Sequence, residues 1–303
     1  MRLALAALAL LLSLPAAAQN LLKQSEWLPP GASVAGDLLH RPVEALEGGV
    51  NQNFYVEFGR LAFRSPEILG GNARRAGISC NACHSNGHVN TRFFVPGVSG
   101  KPGTVDVTNK LWNLRGEDGL LNPITIPTLR DVGRKPRLGR DARSASVHEF
   151  SRAVIVTEFG GEEPTPFLLD ALTAYMVKLR KPVSNEPEKV TLAKDLEDLM
   201  RYTRVLRVVQ LDEDAGLTEL TVRMIRGQIG FIAERFFRPE HEVARAALAA
   251  WVDDLRAIEE LGRNKDFPAA RARLAAMAPP PSALLAAEKT SLYDPGTVKE
   301  VLR

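Results

Sequence analysis

The chain has 303 residues, of which 45% are hydrophobic and 25% charged, with a formal net charge of +3. That balance predicts a folded globular core and excludes an intrinsically disordered chain. Lys and Arg form no cluster interleaved with aromatic residues, so nucleic acid is not an expected partner, and the two cysteines are too few for a disulfide-built fold.

In chain order, the first feature is Arg2 followed by an apolar run from Leu3 to Leu14, then Pro15 and the small residues Ala16, Ala17 and Ala18. This is the pattern of a secretory signal peptide spanning residues 1–18. The run is shorter than the roughly 20 residues a spanning helix needs, and nothing later has a membrane span's length and purity. The expectation is export to the periplasm, with no membrane span after cleavage.

Residues 19–184 are rich in Gly and Pro, with long irregular stretches between short helical patterns. Helices are predicted at Phe54 to Phe63, Ser146 to Phe159 and Pro166 to Leu179. A proline-containing charged stretch, Lys181 to Lys189, sets a boundary near residue 185. Beyond it, helical spacing dominates: Leu192, Leu196, Leu199 and Leu206, then Ile225, Ile229, Ile232 and Phe236, then Leu248, Trp251, Leu255 and Ile258. Pro279 to Pro281 break the pattern before a short C-terminal tail.

Cys80-Asn81-Ala82-Cys83-His84 is a C-x-x-C-H sequence, which reads as attachment of c-type haem. Two thiols so spaced add to the haem vinyl groups from one edge, and the following imidazole becomes the proximal iron ligand. With no other cysteine, the chain holds at most one covalently attached haem c. A redox C-x-x-C pair would be expected near a βαβ pattern, which is absent here, and a zinc site would require two further ligands. The fold class predicted is therefore mainly α: a cytochrome c-like monohaem domain over 19–184 with long irregular loops, followed by a helical bundle or hairpin array over 185–303.

The flanking sequence carries a resemblance. FGRLAFRSPEILGGNARRAGISCNACH (58–84) and IPTLRDVGRKPRLGRDARSASVHEF (126–150) resemble, in order, two segments of the bacterial di-haem cytochrome c peroxidases and their MauG relatives. The resemblance covers roughly residues 54–160. It implies that the second segment lies over the open haem face, that Glu149 is a distal acid/base, and that Asp141 and Arg143 match the Asp and Arg of that family's W-D-G-R pattern. A glutamate suits proton transfer if burial raises its pKa towards working pH. The departures are Arg140 for the family's Trp, Ala142 for its Gly, the stretch Gly97 to Gly100 where a distal histidine is expected, and the absence of a second C-x-x-C-H.

The sixth iron ligand is open. No methionine lies between His84 and Met176, and Met176 reads as core of an apolar helix. His148, beside Glu149, is the best histidine for a distal ligand. His88 is expected near the proximal side, His40 in a loop, and His241 exposed near a helix start. Gly70, Gly71 and Gly77 read as turn glycines near the haem edge, and Arg74, Arg75, Arg92 and Arg115 as surface charges that include candidates for a propionate partner. Trp112 reads as core or as a porphyrin-packing ring.

Three function classes follow. The first is electron transfer with a periplasmic redox partner protein. The second is a peroxidase-like or MauG-like oxidoreductase reducing hydrogen peroxide with electrons from an external donor, in which Glu149 and Arg143 are the catalytic candidates. The third is a sensor or assembly subunit whose helical region binds a partner.

Overall fold

Ser33 and Asn53 begin the first two helices, α1 (Val34–Leu38) and α2 (Phe54–Phe63), by turning side-chain oxygens onto the N–H groups of Gly36 and Val56. Such caps satisfy amide donors that have no partner within the helix. The computed structural model describes residues 22–49, 52–139, 142–278 and 282–301. The signal segment 1–18, Arg140 and Asp141, and the Pro279 to Pro281 break lie outside the described residues.

Two one-turn helices follow, α3 (Gly71–Arg75) and α4 (Cys80–Cys83). A long irregular stretch then runs to α5 (Val147–Ala153), which widens into a π-helical turn, Val154–Glu158, and is followed by α6 (Pro166–Met176). Regular β structure is limited to two antiparallel pairs. In one, β1 (His40–Arg41) pairs with β4 (Glu188–Lys189); in the other, β2 (Thr104–Val105) pairs with β3 (Ile124–Thr125). With 54% helix and 4% strand the protein is mainly α.

The predicted helical region forms α7 (Leu192–Val209), α8 (Ala215–Ala233), α9 (Glu242–Arg263) and α10 (Phe267–Ala276), capped at Thr191, Asp214 and Asp266 where the sequence offers a side-chain oxygen. Their apolar stripes meet: Leu199, Leu206, Ile225, Ile229, Leu248, Leu255 and Ile258 are all buried. No helix among the described residues is long and apolar enough to cross a membrane.

Residue 185 separates two textures but not two cores. Helix α2 packs along α6 on one side and against α7 on another, so one hydrophobic cluster runs from Trp27 through Phe63 and Tyr175 to Leu199, Ile225 and Tyr293. The crossing of α2 and α6 depends on Gly59. A Cβ there would fall 1.9 Å from the Ala171 carbonyl oxygen, a distance no side chain tolerates.

Two expectations change. The segment after residue 281 is not a plain tail: it forms α11 (Ser282–Ala286) and α12 (Pro295–Val301), and Leu292 and Val298 join Leu22, Leu38 and Leu39 in a second, smaller core. His241 is not exposed. It is 1% accessible, with Nδ1 accepting the Arg238 N–H at 3.3 Å and Nε2 2.9 Å from the Thr290 hydroxyl. Those two partners, and the edge of Phe236, make burial of the ring tolerable.

Candidate functional site

The motif sits on a helix of a single turn. Ser79 is its extended N-cap residue, Cys80 to Cys83 form the turn, and at His84 the backbone leaves helical geometry, with φ −117° and ψ 58°. Both thiols are free of disulfide bonding. Burial pushes the Cys80 thiol up to about 12, and Cys83 is raised by burial, by Cys80 and by Glu158. Both are thus protonated thiols at neutral pH, whereas a redox or nucleophilic pair works as thiolate.

His84 is held from behind. Its Nδ1 lies 2.9 Å from the Pro127 carbonyl oxygen. A carbonyl only accepts, so Nδ1 carries the hydrogen, and Nε2 of the neutral ring is left with its lone pair. Burial, together with the positive charge of Lys135, lowers the imidazole to about 4 against the opposing pull of the Pro127 hydrogen bond. The ring is therefore neutral at physiological pH, the form that binds metal. A hydrogen bond from the non-ligating nitrogen to a backbone carbonyl is the usual way a metal-bound histidine is oriented.

Pro127 is positioned by the chain beside it. Leu129 N–H donates to the Gly87 carbonyl at 3.0 Å, and the Thr128 hydroxyl lies 3.3 Å from the same oxygen. The segment beginning at Ile126 thus starts on the His84 side of the motif, whereas the family resemblance led us to expect it over the open face. Gly87, with φ +82°, allows that approach; a Cβ would press on Leu179 at 3.0 Å.

Behind the motif, Asn86 adopts a left-handed conformation with φ 50° and is 3% exposed. Its N–H donates to Asn81 Oδ1 at 2.8 Å, its Nδ2 donates to the Pro42 carbonyl at 2.8 Å, and its Oδ1 accepts from Arg64 at 2.9 Å. A cavity of about 610 Å³ opens on this side, with Asn81, Ala82, Ser85, Asp198, Tyr202 and Gln228 among its lining residues.

Glu149 is exposed and works as a helix cap. Its own N–H donates to Ser146 Oγ at 3.1 Å while its carboxylate accepts the Ala145 N–H at 2.8 Å, a variant of the capping box. His148 places Nε2 3.6 Å from Asp170 on α6. Arg143 is exposed, and its carbonyl accepts from Arg137 at 3.4 Å. The three are sequence neighbours, yet none contributes a buried polar group.

A different acid meets the requirement that was set for Glu149. Glu158 ends the π-helical turn, half-buried and close enough to Cys83 to influence its thiol, and burial raises it to about 7. π-Turns are rare and frequent at functional sites. The sequence held no signal for this one, because an extra residue in a helix leaves no compositional mark.

The other candidates are accounted for locally. Met176 is buried in the core, and His88 places Nε2 3.1 Å from the Val43 carbonyl. His40 is exposed on β1. Trp112 is buried, donates from Nε1 to the Asp106 carbonyl at 3.0 Å and packs on Phe159. Arg92 pairs with Asp37 at 3.1 Å and Arg74 with Glu67 at 3.7 Å; Arg75 bonds Asn72, and Arg115 is exposed. Gly70 is no turn glycine in the positive-φ sense: a Cβ on it would strike the Phe159 carbonyl at 1.9 Å, which brings the motif segment close to the π-turn. Gly77 does have positive φ, +72°.

Among the described residues, no group of three or more His, Cys, Asp or Glu side chains is arranged to hold a metal ion. No family model, curated protein or solved structure matches the chain.

Proposed function

We propose that this protein is an exported monohaem c-type cytochrome that passes single electrons to or from a periplasmic partner protein. One observation carries the reading: the hydrogen bond from His84 Nδ1 to Pro127, next to two protonated thiols on one helical turn. The donor set fits haem c. Cys80 and Cys83 would hold it covalently, His84 Nε2 would be its protein iron ligand, and the group would supply one-electron redox chemistry when bound. Asn86 fixes where the chain goes after the ligand, and Pro127 fixes which nitrogen is offered.

A second reading, peroxide reduction in the manner of the di-haem cytochrome c peroxidases and MauG relatives, draws support from Glu158. A carboxyl with its pKa near 7 can both hold and release a proton under working conditions, which is what reduction of hydrogen peroxide to two waters requires of a nearby acid. The two electrons of that reaction would come from an external donor. Exposure of Glu149 counts against its role there; Glu158 takes its place in this reading.

The test is to produce the chain in a host that matures c-type haem, then record absorbance and EPR spectra of the ferric and ferrous protein. One haem per chain that survives denaturation is expected. A low-spin spectrum indifferent to peroxide supports electron transfer. High-spin iron that reacts promptly, with turnover lost in Glu158→Gln and kept in Glu149→Gln, puts the peroxidase reading first. A chain that acquires no covalent haem refutes both.

A further inference from the structure

The helical region beyond residue 185 carries no chemistry of its own in sequence, yet it reaches the back of the haem motif through a buried charge network. Arg64, the C-cap residue of α2, is 8% exposed. It contacts Asn86 Oδ1 at 2.9 Å, Glu44 at 3.0 Å, and Asp198 and Tyr202 of α7 at 2.7 and 3.3 Å. From α8, Gln228 donates to the Arg64 carbonyl at 3.0 Å.

The network continues one turn back along α2. Arg60, also 8% exposed, lies 2.6 Å from Glu44, 3.2 Å from Asp198 and 3.8 Å from Glu57, and Glu57 lies 3.8 Å from Arg201 of α7. The cations Arg60, Arg64 and Arg201 are thereby matched by the anions Glu44, Glu57 and Asp198. Ion pairs this deep are weak arguments for stability, because desolvation offsets much of the attraction. Their fields, however, are poorly screened and act at longer range than surface charges.

We infer that Asp198 on α7 and Glu44 are positioning residues that set the reduction potential of the haem at Cys80, Cys83 and His84. They do so by balancing the buried guanidinium groups of Arg60 and Arg64, the second of which bonds Asn86, two residues past the proposed iron ligand. This rests on the haem reading above. Oxidation adds a positive charge at the iron. Each carboxylate favours that state and each guanidinium opposes it, so deleting one carboxylate leaves uncompensated positive charge behind the motif and favours the reduced form. The helical half thereby acts on the cofactor without touching it.

The test is potentiometric titration of the purified full-length holoprotein, after covalent haem content has been fixed from the haemochrome spectrum of denatured protein. Asp198→Asn and Glu44→Gln, each removing one negative charge with little change of shape, should both raise the midpoint potential above wild type. Tyr202→Phe removes an uncharged member of the same network and should leave the potential unmoved. If either carboxamide variant fails to fold, the other carries the test. Unchanged potentials in the folded carboxamide variants overturn the inference, as does an equal rise in Tyr202→Phe, which would make packing rather than charge the cause. Haem present with potentials unmoved removes this inference alone; wild-type protein without covalent haem removes it together with the proposed function.

Discussion

The two halves of the molecule hold themselves together in different ways. From Leu192 onward, order comes from amphipathic helices, two of them 19 and 22 residues long, whose apolar stripes face one another. Between Ser85 and Ser146 regular structure is confined to two-residue strands and single 3₁₀ turns, and the chain is fixed largely by side chains bonding nearby backbone. Asn90, Asn109, Asn113, Thr104 and Thr128 each do this. The first arrangement yields a robust scaffold, and the second places individual groups where chemistry needs them. Cys80, Cys83 and His84, the residues proposed to hold the haem, lie directly ahead of the second, and Pro127, which orients His84, lies within it.

The sharpest way to break the comparison is to remove the proposed attachment points. Cys80→Ser combined with Cys83→Ser should abolish covalent haem completely. Amide exchange measured by mass spectrometry should then show lost protection around residues 79–146, with α8, α9 and α10 protected as before. Equal loss in both halves would mean that the scaffold depends on the cofactor as much as the loops do.

Arg64→Met removes one of the buried ionic links between the halves while keeping much of the side chain's apolar length. It leaves Glu44 and Asp198 sharing Arg60, and breaking a buried pair in this way costs about 3–5 kcal/mol. Urea unfolding of the variant should show that loss, whereas a change under about 1 kcal/mol would place the network among exposed pairs of little consequence.

Each half also holds one carboxyl raised to about 7 by burial, Glu158 in the first and Glu234 in the second. Their ordinary value is 4.5, so between that pH and about 7 the folded protein keeps protons that the unfolded chain releases. Each of these carboxyls therefore contributes stability that is lost as pH rises through this window, against the opposite contribution of His84, which is lowered to about 4 from 6.5 and so adds stability as pH rises between those values. In a series of chemical melts, Glu234→Gln should remove that carboxyl's downward contribution to the pH dependence between 4.5 and about 7; an unchanged dependence would show that Glu234 ionises normally.

The smallest effect is at the start of α5. Ser146→Ala removes the acceptor for the Glu149 N–H and should cost about 1 kcal/mol. The loss should be confined to α5, and midpoint shifts in thermal melts would measure it.

Much of the helical architecture was legible because burial and periodicity are one signal. Helix α2 spans Phe54–Phe63, as its spacing predicts, and Thr191 and Asp214 start α7 and α8. The motif residues were legible because C-x-x-C-H is local in sequence. What escaped was long-range or irregular. The Pro127 bond to His84 closes a loop of 43 positions, and Asn86 meets Arg64 across 22. The π-turn that places Glu158 has no sequence signature, whereas the capping pattern Ser146-x-x-Glu149 was present and describes Glu149 better than the family resemblance does. His241 followed the general rule that histidines near a helix start face water; a threonine 49 positions away overrides it.

The second core ties together segments that lie far apart in the sequence. Leu22, Leu38 and Leu39 are covered by Leu292 and Val298 from far along the sequence, and Lys23 N–H is held by Glu234 at 3.1 Å. Trp27 hands its indole N–H to the Ala76 carbonyl just ahead of the motif and its own carbonyl to Phe94 just beyond it. The segment that straps the motif from outside is thus itself anchored, through Leu22, Leu38 and Leu39, on residues of the region beyond 281.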